Sequence, residues 1–175
     1  LRNKEPFELS MISRYYNLQR FSDVWTKIHL GATPRIGASY IKDNLDSRYT
    51  EASRIYHGFI HIGHGLEEFD QVDSLSDHPE ELAVGWYFHD SIYNPRKKNN
   101  EIKSVELANL MMAKSGVPEA PIQRILRIIQ ATDHKTLPKT NDERYIVDVD
   151  LSILGQDEEK YNWYSNGIRQ EYSWI

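Results

Sequence analysis

The chain has 175 residues, is 39% hydrophobic, carries a net charge of −5 and contains no cysteine, which is enough length for one domain with a real core. The lack of cysteine excludes disulfides and thiolate metal sites and makes a reducing cytoplasm the expected setting. No apolar run reaches the roughly 20 residues of a membrane span, no basic-then-apolar segment near Leu1 marks a signal peptide, and the acidic balance offers no basic stripe for a nucleic-acid surface.

Periodicity is helical nearly everywhere. Phe21, Val24, Trp25 and Ile28 fall at i, i+3, i+4, i+7, the stripe of an amphipathic helix. Gly31 stops it and Pro34 opens the next piece, where Ile36, Tyr40, Ile41, Leu45 and Tyr49 continue in helical steps. In SRIYHGFIHIGHGLEEFDQV the stripe is Ile55, Phe59, Ile62, Leu66 and Phe69. A helix over that whole segment puts His57, His61 and His64 on one face, with His57 and His61 aimed into one cavity. Gly58, Gly63 and Gly65 weaken this helix and are expected to admit a neighbouring backbone.

SDHPEELAVGWYFHD begins with Asp77, Pro79 and Glu80, a capping box with proline in the first turn. The run from Leu82 to Phe88 is too continuously apolar for a surface helix and reads as a central one. His89 and Asp90 then lie at its buried C-terminal end. SIYNPRKKNN is a polar, basic loop. The next helix is expected to be capped by Asn100 and closed at Gly116. PIQRILRIIQATDHK turns Ile122, Ile125, Leu126 and Ile129 inward, with His134 near its end. After a loop holding Pro138 come DERYIVDVDLSILG and a last helix with Tyr161, Tyr164, Ile168 and Tyr172 at helical spacing. The class is all-α, one bundle of about seven helices over residues 1–175.

The chemistry concentrates in His89–Asp90, a nitrogen and an oxygen donor side by side, with His57, His61, His134, Asp148 and Asp150 as company. His29 and His78 read as hydrogen-bonded structural residues. Asp148 and Asp150 sit among Tyr145, Ile146, Val147, Val149, Leu151, Ile153 and Leu154, where a buried carboxylate is costly unless it is paired or binds metal.

Taken in order, YHGFIHI, WYFHDSIYN, NEIKSVELA, ATDHK, DVDLSILG and IRQEY resemble the HD superfamily of metal-dependent phosphohydrolases, and within it the bacterial branch described as predicted metal-dependent HD phosphohydrolases. The resemblance runs from about Trp25 to Tyr172. It implies an all-α fold and a divalent ion held by His61, His89, Asp90 and Asp150, with Asp148 the alternative to Asp150 and His57 the alternative to, or support for, His61. A thiolate-free set of this kind suits Mn, Fe, Co, Ni or Mg in an open site, with Zn a further candidate. Histidines available for a second ion are few, so one ion is implied.

The implied activity is hydrolysis of a small phosphorylated metabolite, a nucleotide first among them, by a metal-activated water. Glu101 would orient or deprotonate that water. Its other reading is a first-turn acid favouring the helix dipole. Arg54, placed a helical turn before His57, is the first choice for the phosphate, followed by Arg96, Lys97, Lys98 and Lys103. Tyr93 is placed to stack on a base, and His134 to touch substrate. The same superfamily leaves two alternatives open, a di-iron oxygenase drawing on His57, His64 and His134, and a metal-containing nucleotide sensor without turnover. Nothing in the patterning specifies an oligomeric state.

Overall fold

The computed structural model describes residues 6–175. Among them lie nine α-helices and no strand: α1 Pro6–Tyr15, α2 Leu18–Lys27, α3 Ala38–Tyr49, α4 Phe59–Val72, α5 Pro79–His89, α6 Asn100–Ser115, α7 Glu119–Ala131, α8 Asn141–Leu151 and α9 Glu158–Glu171. Short 3-10 turns follow α4 and α8. The all-α expectation holds, and the count of about seven is corrected to nine. The helix not foreseen at the N-terminal end, α1, is short and carries its apolar stripe on only Phe7, Met11 and Tyr15, too little to stand out by period alone. No helix among the described residues is long and apolar enough to cross a membrane.

Helix α5 is the axis of the bundle. Every residue from Glu81 to His89 is buried, and the helix packs against α2, α4, α6, α7 and α8. A helix apolar all round is stable only when surrounded in this way. Gly85 lets α7 approach, since a Cβ there would stand 2.7 Å from the Ile128 side chain. Gly63 does the same for α1: an added Cβ would overlap the Met11 carbonyl. Of the three glycines expected to admit a backbone, Gly63 does so within α4, Gly58 does so against the Tyr49 carbonyl in the turn before it, and Gly65 instead admits the Trp86 indole.

Three expected boundaries are corrected. Helix α4 starts at Phe59, so Arg54 and His57 lie in the preceding turns and not on the helix. Helix α5 has His78 at its N-cap and no side-chain cap. The Asp142 carboxylate of α8 instead accepts from the backbone N–H groups of Asp77 and His78, while Glu80 pairs with Lys27. Asn99, not Asn100, is the N-cap of α6. Asn100 bridges both backbone groups of Asn94 and so pins the basic loop. Gly116 closes α6 in the left-handed region, φ +87°, as the Gly signal requires.

Candidate metal centre

Three helices deliver donors to one point. His61 is the third residue of α4, His89 and Asp90 come from the C-terminal end of α5, and Asp150 from the end of α8. The Nε2 atoms of His61 and His89 are 3.2 Å apart. Asp90 Oδ2 lies 3.5 Å from His89 Nε2 and 3.9 Å from His61 Nε2. Asp150 Oδ1 lies 3.3 Å from His61 Nε2 and 3.7 Å from His89 Nε2. Neighbouring donors around an ion with bonds of about 2.1 Å stand about 3.0 Å apart in octahedral and about 3.4 Å apart in tetrahedral geometry. The observed spacings are those edges, slightly expanded, and His61, His89 and Asp90 together form a group able to hold a metal ion.

The outer hydrogen bonds orient the rings. His89 Nδ1 lies 2.8 Å from the Trp86 carbonyl, which only accepts, so that nitrogen carries the proton and Nε2 presents a lone pair to the cluster. The ring is held flat against the Trp86 indole, 4.1 Å between centroids. His61 Nδ1 meets the Tyr56 hydroxyl at 3.1 Å. With that hydroxyl accepting, its Nε2 lone pair also faces inward. Two buried imidazole lone pairs pointed at each other, flanked by two carboxylates, is an arrangement completed by a cation.

Burial lowers the His61 pKa despite the neighbouring Asp150. Burial opposes ionisation of Asp150 as well, yet the His134 hydrogen bond and the closeness of the His61 and His89 rings outweigh it and hold the carboxyl far below its usual range. Asp148, two residues earlier and on the other side of α8, is exposed. The adjacent acids thus separate cleanly, one at the cluster and one in solvent.

His57 approaches from outside the helix. Its Nδ1 is 2.6 Å from Glu171 Oε2, its ring stacks on Tyr93 at 4.4 Å, and the ring centre is 5.6 Å from that of His61. Burial alone would lower its pKa, but the Glu171 hydrogen bond and the charges of Asp90, Glu171 and Asp150 raise it. Glu171 has a fully buried side chain. Its other oxygen accepts from the backbone N–H groups of Tyr56 and His57, and Tyr93 Oη donates to Oε2.

Arg54 is occupied by structure. It donates to Glu51, to the His57 carbonyl, and to the carbonyls of Asp90 and Ser91 at 2.6 and 3.2 Å. It therefore anchors the turn that presents Asp90, and most of its donors are unavailable to a phosphate. Lys103 is exposed and pairs with Glu106. His134 is half-exposed at the rim with its Nε2 3.0 Å from Asp150 Oδ2, and the charge of Glu101 acts on it. His64 turns away to Ser152, and burial pushes its pKa down to about 3.

The roles of Glu171, Tyr56 and Trp86 were not foreseen. Glu171 stands inside IRQEY and Tyr56 heads YHGFIHI, so the motifs marked the places without marking the roles. Searches against protein-family models, curated proteins and solved structures find no match to this chain.

Proposed function

We propose that the protein is a metal-dependent phosphohydrolase of the HD type, acting on a small phosphorylated metabolite in the cytoplasm. The observation that carries this reading is the convergence of two oriented imidazole lone pairs and carboxylate oxygens at the edge lengths of a metal polyhedron. The donor set fits Mn, Fe, Co, Ni or Mg, with Zn a further candidate. A divalent ion, when bound, would polarise a phosphoryl oxygen and acidify a water beside it.

The chain's own groups supply the rest. His61, His89, Asp90 and Asp150 are the ligands in this reading. The rim of the site carries His134 and Glu101, so substrate enters there. Glu101 accepts the proton of the attacking water or orients it, and His134 hydrogen-bonds a phosphoryl oxygen. His57, fixed by Glu171 and Tyr93, lines the opposite wall. A single ion is favoured because one group of converging donors, built on His61, His89 and Asp90, stands among the described residues.

The test is turnover of the protein loaded separately with each metal, against nucleoside mono-, di- and triphosphates, cyclic dinucleotides and an aryl phosphate. Chelator-sensitive phosphate release, lost in Glu101→Gln with metal retained, supports the reading. Retained metal with no release across the panel overturns it. Dioxygen consumption in its place would make the centre an oxygenase, and tight nucleotide binding without turnover would make it a sensor.

A further inference from the structure

A cavity of about 710 Å³ lies on the far side of the His57–Glu171 pair from the metal donors. None of His61, His89, Asp90 and Asp150 lines it. Its walls come from three segments that also build the centre: residues 52–55 around Arg54, residues 93–96 leaving the His89–Asp90 doublet, and residues 170–174 around Glu171. The volume is in the range of small-molecule sites.

The wall chemistry is specific. Trp174 is 45% exposed, a large indole left open. The Arg96 guanidinium lies 5.2 Å from its ring centre, and among the described residues no carboxylate pairs with it. The one acid in the wall, Glu171, is saturated by four donors: two backbone N–H groups, His57 and the Tyr93 hydroxyl. It repels little. Tyr93 adds a second aromatic surface, and Ser53 and Gln170 add neutral hydrogen-bonding groups. A cavity with one open indole, one guanidinium without a carboxylate partner and no free carboxylate in its wall suits a ligand that is flat at one end and anionic at the other.

We propose that this cavity is a second ligand site, separate from the metal centre, that binds a nucleoside monophosphate with its base against Trp174 and its phosphate on Arg96. Binding there needs no metal, because no metal ligand touches the cavity. It also presses on Tyr93, whose ring and hydroxyl hold His57 and Glu171.

The test is calorimetric titration of the chelator-treated full chain with AMP, adenosine and inorganic phosphate. AMP is expected to bind one per chain, at least about tenfold more tightly than either fragment. Trp174→Ala and Arg96→Ala should each weaken AMP by about tenfold or more, and His89→Ala, which empties the metal centre, should leave AMP binding unchanged. Arg96 sits on an exposed loop, so its variant keeps the test valid if the Trp174 variant disturbs folding. The proposal is overturned if AMP does not bind at millimolar concentration, if phosphate alone binds as well as AMP, or if His89→Ala abolishes binding while Arg96→Ala spares it.

Discussion

His61 and His89 face each other Nε2 to Nε2 at 3.2 Å, each with its other ring nitrogen already engaged, by Tyr56 and by the Trp86 carbonyl. Such a pair has no internal donor for both lone pairs, so it is organised for something between them. Removing either ring should abolish metal retention in a protein that still folds. His89→Ala and His61→Ala are expected to copurify without metal, and Asp148→Ala to retain it fully. Elemental analysis of protein prepared without chelator decides this, and normal occupancy in both histidine variants would refute the assignment.

The Tyr56 hydroxyl orients His61 without touching the cluster itself. Tyr56→Phe keeps the packing of its ring and deletes only that contact. Outer partners of metal ligands are worth about 10–100-fold in affinity, so the variant should bind metal about tenfold more weakly, with unfolding nearly unchanged. Competition with a fluorescent chelator measures it. An affinity equal to the parent's would mean His61 is oriented by packing alone.

Arg54 separates a positioning role from a substrate role. Its guanidinium reaches the carbonyls of Asp90 and Ser91 from a buried position, a fork that the single ammonium of lysine cannot reproduce. Arg54→Lys should cost about 2–3 kcal/mol of stability and weaken metal binding by slackening the turn that carries Asp90. If Arg54 instead bound phosphate, the variant would keep both stability and metal and lose only substrate affinity.

What the sequence could show depended on how local each signal was. The unbroken run Leu82–Phe88 placed α5 at the centre because no surface helix tolerates it. Two acids two residues apart on a helix point to different sides, which is how Asp150 meets His61 while Asp148 stays in solvent. The start of α4 was obscured by a coincidence: Ile55 continues the stripe of Phe59 and Ile62 at helical spacing, yet it is 43% exposed and lies in a turn. Gly58, tucked against the Tyr49 carbonyl at 3.0 Å from where its Cβ would be, marks the break. The capping box at Asp77 failed for a different reason, since Asp142, far along the chain, takes the Asp77 N–H that Glu80 would have reached, together with that of His78, and the helix starts one residue later with His78 as its N-cap. Glu171 was out of reach altogether, because its partners Tyr56 and His57 lie more than a hundred residues away and no periodicity reports such a pairing.

Gly63 fixes how closely α1 meets α4. A methyl group there would collide with the backbone of Met11, which cannot rotate away as a side chain would. Gly63→Ala should therefore destabilise by about 3 kcal/mol, the upper end of overpacking costs, even though alanine favours helix in isolation. Urea unfolding gives the value. A stability gain would show that α1 docks loosely and can retreat.

The buried Glu171 makes a prediction in pH. Burial opposes its ionisation, but the His57 hydrogen bond and charge and two backbone N–H groups prevail and hold the carboxyl below its ordinary 4.5. A group whose folded pKa is depressed contributes stability that is present above the unfolded value and disappears as pH falls through the folded one. Glu171→Gln keeps an oxygen for the N–H groups of Tyr56 and His57 but turns an amide N–H toward the His57 Nδ1 and the Tyr93 hydroxyl, which now face a donor. At neutral pH the variant should be about 3 kcal/mol less stable, as expected for breaking a buried pair. The gap between parent and variant should then narrow as pH is lowered below the ordinary 4.5, because the parent loses its carboxylate and the variant has none to lose. Urea unfolding of both proteins across that range tests the sign. A gap that stays constant or widens toward acid would mean that Glu171 is not held as a carboxylate against His57, and the anchoring of His57 at the centre would need another cause.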